Sequence, residues 1–326
     1  MESQNILEVK HLKKYFPVQS VALRKEPKAV RAVDDVSFSI RRGETFSLVG
    51  ESGCGKSTTG RCTIGLLPST EGEIRYDGRD ITHLKTKERA ALTTDLQMIF
   101  QDPYSSLDPR KTVGDIIEEP LLIHHMCDSK EERMERAMDM VRKVGLREDQ
   151  YFRYPHEFSG GQKQRIGIAR ALIVKPKFVV CDEPVSALDV SIQSQVLNLL
   201  EEMKEEFGIT YLFISHNMSV VRYISDRIGV MYLGHLVEIA DCEELYKNPL
   251  HPYTQALLSA VPEVNPHMRK EHIVLKGDIP SPLNPPSGCV FHNRCFRNKP
   301  MCEDAVPQLE EVLPGHYVAC YCHQVY

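Results

Sequence analysis

The sequence predicts an α/β protein in which helices cover a mainly parallel sheet, and three observations predict it. Apolar runs of strand length alternate with amphipathic runs of helix length through much of the chain. One such run, Thr45-Phe-Ser-Leu-Val49, leads directly into the glycine-rich stretch Gly50-Glu-Ser-Gly-Cys-Gly-Lys-Ser57, which opens a helix. Another, Phe178-Val-Val-Cys181, delivers two carboxylates, Asp182 and Glu183, at its carboxyl end, where open parallel sheets bind their ligands.

Taken in order, Leu7, Val9 and Leu12 mark a first strand, and the alternation of Val36, Phe38 and Ile40 marks a second. Arg42-Gly43-Glu44 turns the chain into Thr45–Val49. From Lys56 the pattern is helical through Leu67, where Pro68 stops it. Beyond Gln101 the character changes. Ser129-Lys-Glu-Glu132 reads as a capping box, followed by Met134, Ala137, Met138, Val141 and Val144 on one helical face and by Gly145 as a stop. Another helix starts at Ser159 and runs to Val174, so residues 102–175 read as a helical insertion. Alternation then returns: the strand Phe178–Cys181, a helix from Ser191 to Phe207 ended by Gly208, a strand Ile209–Ile214, and another at Ile228–Tyr232. From His251 the composition turns proline-rich and irregular, including Pro280-Ser-Pro-Leu-Asn-Pro-Pro286, as in a small appended domain. The predicted division is a core of residues 1–101 and 176–250, a helical subdomain 102–175, and an extension 251–326.

The 326 residues hold 40 Lys plus Arg against 45 Asp plus Glu, a formal charge of -5. That balance argues against nucleic acid as the main partner, since neutralising a phosphate backbone wants a basic excess. No apolar run reaches the roughly 18 residues of a membrane span. The opening Met1-Glu-Ser-Gln-Asn5 lacks the basic-then-apolar layout of an export signal, so the chain is expected to stay in the cytoplasm. Ten cysteines in such a chain do not read as a disulfide framework.

The glycine-rich loop is a phosphate cradle. Its glycines let successive backbone N–H groups turn inward, and the following helix adds the positive end of its dipole. Gly50, Glu51, Ser52, Gly53, Cys54, Gly55, Lys56, Ser57 and Thr58 are therefore candidate nucleotide-binding residues. Lys56 is expected to reach the β- and γ-phosphates and the Ser57 hydroxyl to ligate magnesium. Asp182 is the candidate magnesium-side carboxylate, and Glu183 is placed to polarise an attacking water. Phe158-Ser-Gly-Gly-Gln162 supplies a second helix start with bare N–H groups at Ser159, Gly160, Gly161 and Gln162. A generic phosphate-loop protein does not need it.

With the phosphate loop, the Asp182-Glu183 strand and the intervening helical segment, that second helix start makes residues 6–250 resemble an ATP-binding-cassette (ABC) ATPase. The resemblance implies a RecA-like P-loop core, ATP and Mg2+, and a head-to-tail dimer in which Ser159–Gln162 of one subunit meets the nucleotide on the other. It also implies roles for Gln101 at magnesium and the membrane partner and for Ser186-Ala-Leu-Asp189 at the dimer contact. His216 would meet the γ-phosphate, and Phe16, or else Tyr15, would stack on adenine. Gly50–Thr58, Gln101-Asp-Pro-Tyr-Ser-Ser-Leu-Asp-Pro-Arg110, Tyr154-Pro-His-x-Phe-Ser-Gly-Gly-Gln162 and His251-Pro-Tyr-Thr-Gln-Ala-Leu-Leu258 are similar to the dipeptide/oligopeptide importer ATPases. The wording is nearest to the dipeptide-permease F type, the second of two paired ATPase subunits. Importers of nickel or another small solute share this architecture. The implied partners are a paralogous ATPase subunit or a second copy, two transmembrane permease subunits and, indirectly, an extracytoplasmic peptide-binding protein. The implied place is the cytoplasmic face of the membrane.

Five of the ten cysteines fall within the last 38 residues. Cys289, Cys295, Cys302 and Cys320 supply four thiols in a loop-rich segment, as an iron–sulfur cluster or tetrahedral zinc requires, and the spacing alone does not choose between them. The family resemblance implies a [4Fe-4S] cluster, with zinc as the alternative and Cys322 competing with Cys320 for the fourth position.

Overall fold

The computed structural model describes residues 4–18, 28–102, 104, 106–261 and 272–323. Residues 1–3 of the opening segment and residues 103 and 105 of the Gln101–Arg110 stretch lie outside the described residues. The chain divides into two compact units, one made of Met1–His83 with Ile214–Tyr326, the other of Leu84–Phe213.

The first unit opens with two long strands, β1 (Asn5–Val18) and β2 (Lys28–Arg41), paired antiparallel with several register shifts. The alternation of Val36, Phe38 and Ile40 lies in the second half of β2, opposite Leu12, Val9 and Leu7 of β1, and all three are buried. β3 (Thr45–Val49) follows, buried at every position, and then the glycine-rich loop and α1 (Lys56–Thr63). α1 ends short of the Leu67 boundary expected from periodicity. Gly65, at φ 73°, has already left the helical region, so the chain breaks before Pro68 can stop it. β4 (Glu71–Tyr76) and β5 (Arg79–Asp80) complete a four-stranded antiparallel sheet in the order β2-β1-β4-β5.

The second unit begins with α2 (Thr86–Ala90) and β6 (Leu96–Ile99). Between β6 and β7 (Phe178–Asp182) the described residues form helices: α3 (Val113–Ile123), α4 (Lys130–Lys143) and α5 (Gly160–Leu172), with short 3-10 turns at Glu148–Phe152 and Pro155–Glu157. Ser129 caps α4, accepting a hydrogen bond from the Glu132 N–H at 3.0 Å, but the box does not close. The Glu132 carboxylate accepts from the Asp128 N–H at 2.9 Å instead. α6 (Val190–Phe207) ends at Gly208, at φ 65°, and β8 (Thr210–Ser215) carries the chain back toward the first unit. β6 and β7 are parallel, and β8 lies beside β7.

Back in the first unit come α7 (Met218–Ile224), β9 (Arg227–Tyr232) and β10 (His235–Asp241). β3 pairs parallel with β9, whereas β9 and β10 are antiparallel. The expectation of a mainly parallel sheet is corrected here, and the cause is local. Leu233 and Gly234 both have positive φ, 45° and 85°, which is the two-residue turn that joins a twisted hairpin. Among the described residues three short helices follow, α8 (Cys242–Lys247), α9 (Pro252–Ser259) and α10 (Met301–Asp304). The strands β11 (Glu310–Leu313) and β12 (His316–Val318) come last. β12 pairs antiparallel with β10, through Glu238 with Val318 and Ile239 with Tyr317, so the chain after His251 adds strands to the sheet of this unit. A buried carboxylate ties the junction. Glu238 accepts hydrogen bonds from the Leu250 and His251 backbone N–H groups at 2.7 and 3.0 Å, and its Oε1 lies 2.8 Å from His316 Nε2.

Candidate functional site

In the first unit the phosphate loop is shaped by close backbone approach. A Cβ on Gly50 would sit 2.1 Å from the Met231 carbonyl oxygen, and one on Gly55 would sit 2.1 Å from that of Ala32. Both glycines also have positive φ, 150° and 104°, so a side chain at either would need the loop to move. Lys56 is buried and folds back over the loop, donating to the carbonyls of Gly50 at 2.8 Å and Glu51 at 3.0 Å. Burial pushes the Cys54 thiol up from its ordinary value, the nearby Lys56 opposing the rise, so Cys54 stays a neutral packing group. Ser57 and Thr58 stand half-buried in the first turn of α1, while Ser52 and Gly53 are exposed.

Two groups from the chain after His251 hold the second residue of this loop. The Tyr253 hydroxyl accepts from the Glu51 backbone N–H at 2.9 Å. Arg294 donates to both carboxylate oxygens of Glu51, at 2.7 and 3.1 Å. Sequence reasoning missed Arg294, which sits in a short 3-10 turn (His292–Arg294) among the cysteines. A lone arginine beside Cys295 carries no periodic or spacing signal.

Also in this unit, Phe16 on β1 is 38% exposed, whereas the neighbouring Tyr15 hydroxyl donates to Asp34 at 2.5 Å. Of the two aromatic candidates, Phe16 presents the accessible ring. His216 is exposed just past β8, and Asn217 beside it caps α7 by accepting from the Ser219 and Val220 N–H groups.

In the second unit Asp182 is fully buried at the end of β7. Glu183 follows at φ 46°, a left-handed conformation unusual for a glutamate and more so ahead of Pro184. Its backbone carbonyl accepts from the Ser186 N–H at 3.2 Å and the Ser186 hydroxyl at 3.1 Å, which hold the turn. Its carboxylate accepts from Gln101 Nε2 at 2.9 Å, bringing two of the sequence-predicted residues together although they lie 82 positions apart. Strained backbone of this kind collects at functional sites. Asp189, at the end of the Ser186–Asp189 segment, caps α6: its carboxylate accepts from the Ser191 hydroxyl and the Ile192 N–H, and these bonds lower its pKa.

The second glycine-rich helix start is a closed capping box. Ser159 accepts from the Gln162 N–H at 3.4 Å, and the Gln162 side chain accepts from the Ser159 N–H at 3.1 Å. Gly160 and Gly161 occupy the first two positions of α5, whose first turn holds no acidic residue. A Cβ on Gly161 would meet Ile192 at 2.5 Å.

The C-terminal thiols gather around one small cavity. Cys289, Cys295, Cys302, Cys320 and Cys322 all line it, together with His251 and His292. Cys302 Sγ lies 3.9 Å from Cys322 Sγ, and backbone N–H groups of Arg297 and Cys322 each approach a cysteine sulfur, of Cys295 and Cys320, at 3.3 Å. Among the described residues no group of three or more His, Cys, Asp or Glu is arranged to hold a metal ion. The expected four-thiolate ligand set is thus not preformed. Burial pushes the Cys289 thiol up to about 11 and the Cys320 thiol up to about 12.

A family model described as ABC transporter matches residues 33–186, and one described as oligopeptide/dipeptide transporter, C-terminal region, matches residues 237–302. The oligopeptide transport ATP-binding protein AppF of Bacillus subtilis is 55% identical over 323 residues, 98% of each chain. The oligopeptide transport ATP-binding protein OppF of Escherichia coli is 51% identical, covering 97% of this chain and 95% of its own. The dipeptide transport ATP-binding protein DppF of Haemophilus influenzae is 48% identical, covering 98% and 97%. Among solved structures, a dimeric post-hydrolysis state of the cassette MJ0796 bound to ADP and Pi aligns with a TM-score of 0.64 at 30% identity, over 72% of this chain and 98% of that one. CbiO1 from Clostridium perfringens, part of the CbiONQ transporter, aligns at 0.65 and 27%, over 75% and 92%. Near-complete coverage at about half identity leaves one conclusion: the chain belongs to the ATP-binding-cassette transporter ATPases, in the branch of oligopeptide and dipeptide transport ATP-binding proteins.

Proposed function

We propose that the chain energises import of di- and oligopeptides by hydrolysing ATP against a second cassette, on the cytoplasmic face of a membrane permease. In this reading residues 1–101 and 176–250 are the nucleotide-binding core, 102–175 the helical subdomain and 251–326 the transporter-specific extension. The phosphate loop, with Lys56 and Ser57, takes the phosphates of one ATP. Ser159–Gln162 takes the γ-phosphate of the ATP on the partner, a paralogous ATPase or a second copy. Ser57, Asp182 and Gln101 would hold magnesium, which supplies neutralisation of phosphate charge. Glu183, oriented by Gln101, accepts the proton of the attacking water, and His216 steadies the γ-phosphate. Closure of the dimer moves Gln101 and the helical segment, and that motion is passed to two permease subunits fed by an extracytoplasmic peptide-binding protein.

What supports this reading most is that one chain carries two separate glycine-rich helix starts, ahead of α1 and α5, each suited to an anion. Among the described residues no helix is long and apolar enough to cross a membrane, consistent with a peripheral place. Co-purification from detergent-solubilised membranes tests it. Recovery of two multi-spanning subunits and a peptide-stimulated ATPase supports the reading, and a chain that leaves the membrane fraction alone contradicts it.

The cysteine pocket belongs to the proposal in a narrower way. The shared lining and the N–H groups aimed at sulfur suit a thiolate-held metal centre, and the family resemblance favours a [4Fe-4S] cluster, with zinc as the alternative. Anaerobic purification should yield iron, sulfide and broad visible absorption. Metal-free protein with every thiol titratable would refute the cluster.

A further inference from the structure

We propose that Arg294 is a positioning residue of the phosphate loop, holding Glu51 and cancelling its charge, so that the cysteine-flanked turn at residues 289–295 is a working part of the nucleotide site. The inference rests on Gly50–Ser57 being that site. A carboxylate as the second residue of an anion-binding loop is a liability, since it repels the phosphates that the backbone N–H groups attract. Arg294 answers it with a fork of two charge-assisted bonds, at 2.7 and 3.1 Å. The guanidinium is 8% exposed and the Glu51 side chain 27%, so solvent screens the pair only in part.

The arginine is itself anchored. Its N–H bonds the Phe291 carbonyl at 3.0 Å, and Cys289 N–H bonds the Cys302 carbonyl at 2.8 Å, tying the turn to the thiol pocket. Phe291, fully buried, packs edge-on against Tyr232 with ring centres 5.1 Å apart and, tilted, against Tyr253 at 5.3 Å. Tyr253 in turn holds the Glu51 backbone N–H at 2.9 Å. Side chain and backbone of Glu51 are therefore clamped by Arg294 and Tyr253, 243 and 202 residues away in sequence, which are joined to each other through Phe291.

The roles separate by the sign of single and double substitutions in the full chain, read as affinity for Mg·ATP and Mg·ADP. Arg294→Met leaves an uncompensated carboxylate in the loop and should weaken Mg·ATP about tenfold, and Mg·ADP, with one negative charge fewer, by less. Glu51→Gln leaves the arginine uncompensated and should tighten Mg·ATP severalfold. The double substitution should return affinity to within about threefold of the parent, and Arg294→Lys should recover part of the loss. A purely structural arginine gives a different pattern: both single changes weaken ATP and ADP alike, the double is worse than either, and the melting temperature falls in step. That pattern, or unchanged nucleotide affinity in Arg294→Met, overturns the inference. Lys56→Ala is the control for the underlying site. If it binds Mg·ATP as the parent does, the loop reading itself has failed, whatever Arg294 shows.

Discussion

Replacing Glu183 with Gln isolates the chemistry from the fold. Glutamine has the shape of glutamate and keeps an acceptor oxygen for Gln101 Nε2, which donates at 2.9 Å. The turn at φ 46° is held by the Glu183 backbone carbonyl and by Ser186, neither of which the substitution touches. Folding should therefore change by no more than a few tenths of a kcal/mol, within the usual range of a neutral surface change. What is lost is the ability to take a proton from water. General-base catalysis contributes about 10²–10⁴-fold, so turnover should fall by that factor, about 3–5 kcal/mol in barrier. Phosphate release by the assembled transporter measures it, with Mg·ATP affinity and melting temperature recorded alongside. Turnover within tenfold of the parent, with ATP still bound, would refute the role of Glu183.

Two further substitutions test other parts of the account. Phe16→Ala removes a ring that is 38% exposed, so the melting temperature should barely move while the KM for ATP rises about threefold to tenfold, the worth of one aromatic stack; an unchanged KM would point to a surface ring with no nucleotide role. His251→Asn tests pH dependence. Burial holds the His251 ring neutral, its pKa lowered from 6.5 to about 3. Unfolding frees the ring to take a proton, so the unfolded chain binds more protons and stability drops as pH falls from 6.5 toward 3. Asparagine keeps a cap acceptor for the Tyr253 N–H and removes the titration. Stability against pH should then be flatter below 6.5, by at most about 1.4 kcal/mol per pH unit, and identical slopes would contradict the assignment.

What could be read from the sequence was local. The strand into the glycine-rich loop, the carboxylates ending β7, the helix start at Ser159 and the Gly208 stop each depend on neighbours within a few residues. Their physics is complete in a short window. Where a second partner decides, the sequence was silent. α1 ends at Thr63 because Gly65 turns left-handed, although the apolar pattern continues to Leu67. The Glu132 carboxylate has two backbone donors within reach and takes Asp128 rather than Ser129. β9 and β10 turn antiparallel through Leu233 and Gly234, a pair whose second residue alone signals a turn. The cysteine spacing pointed to thiols that share one site, and five of them line one small cavity, but spacing alone does not say which of them would hold a metal. The arginine clamp on Glu51 joins residues too distant for any periodicity to link.

The account stands on two polypeptides sharing each nucleotide, and the most direct measurement is ATP turnover per chain as a function of concentration, with mass followed by light scattering. Turnover per chain should vanish as the chain is diluted to monomer and return when dimer reforms or the partner ATPase is added. Full turnover by a chain that scatters as a strict monomer would contradict it.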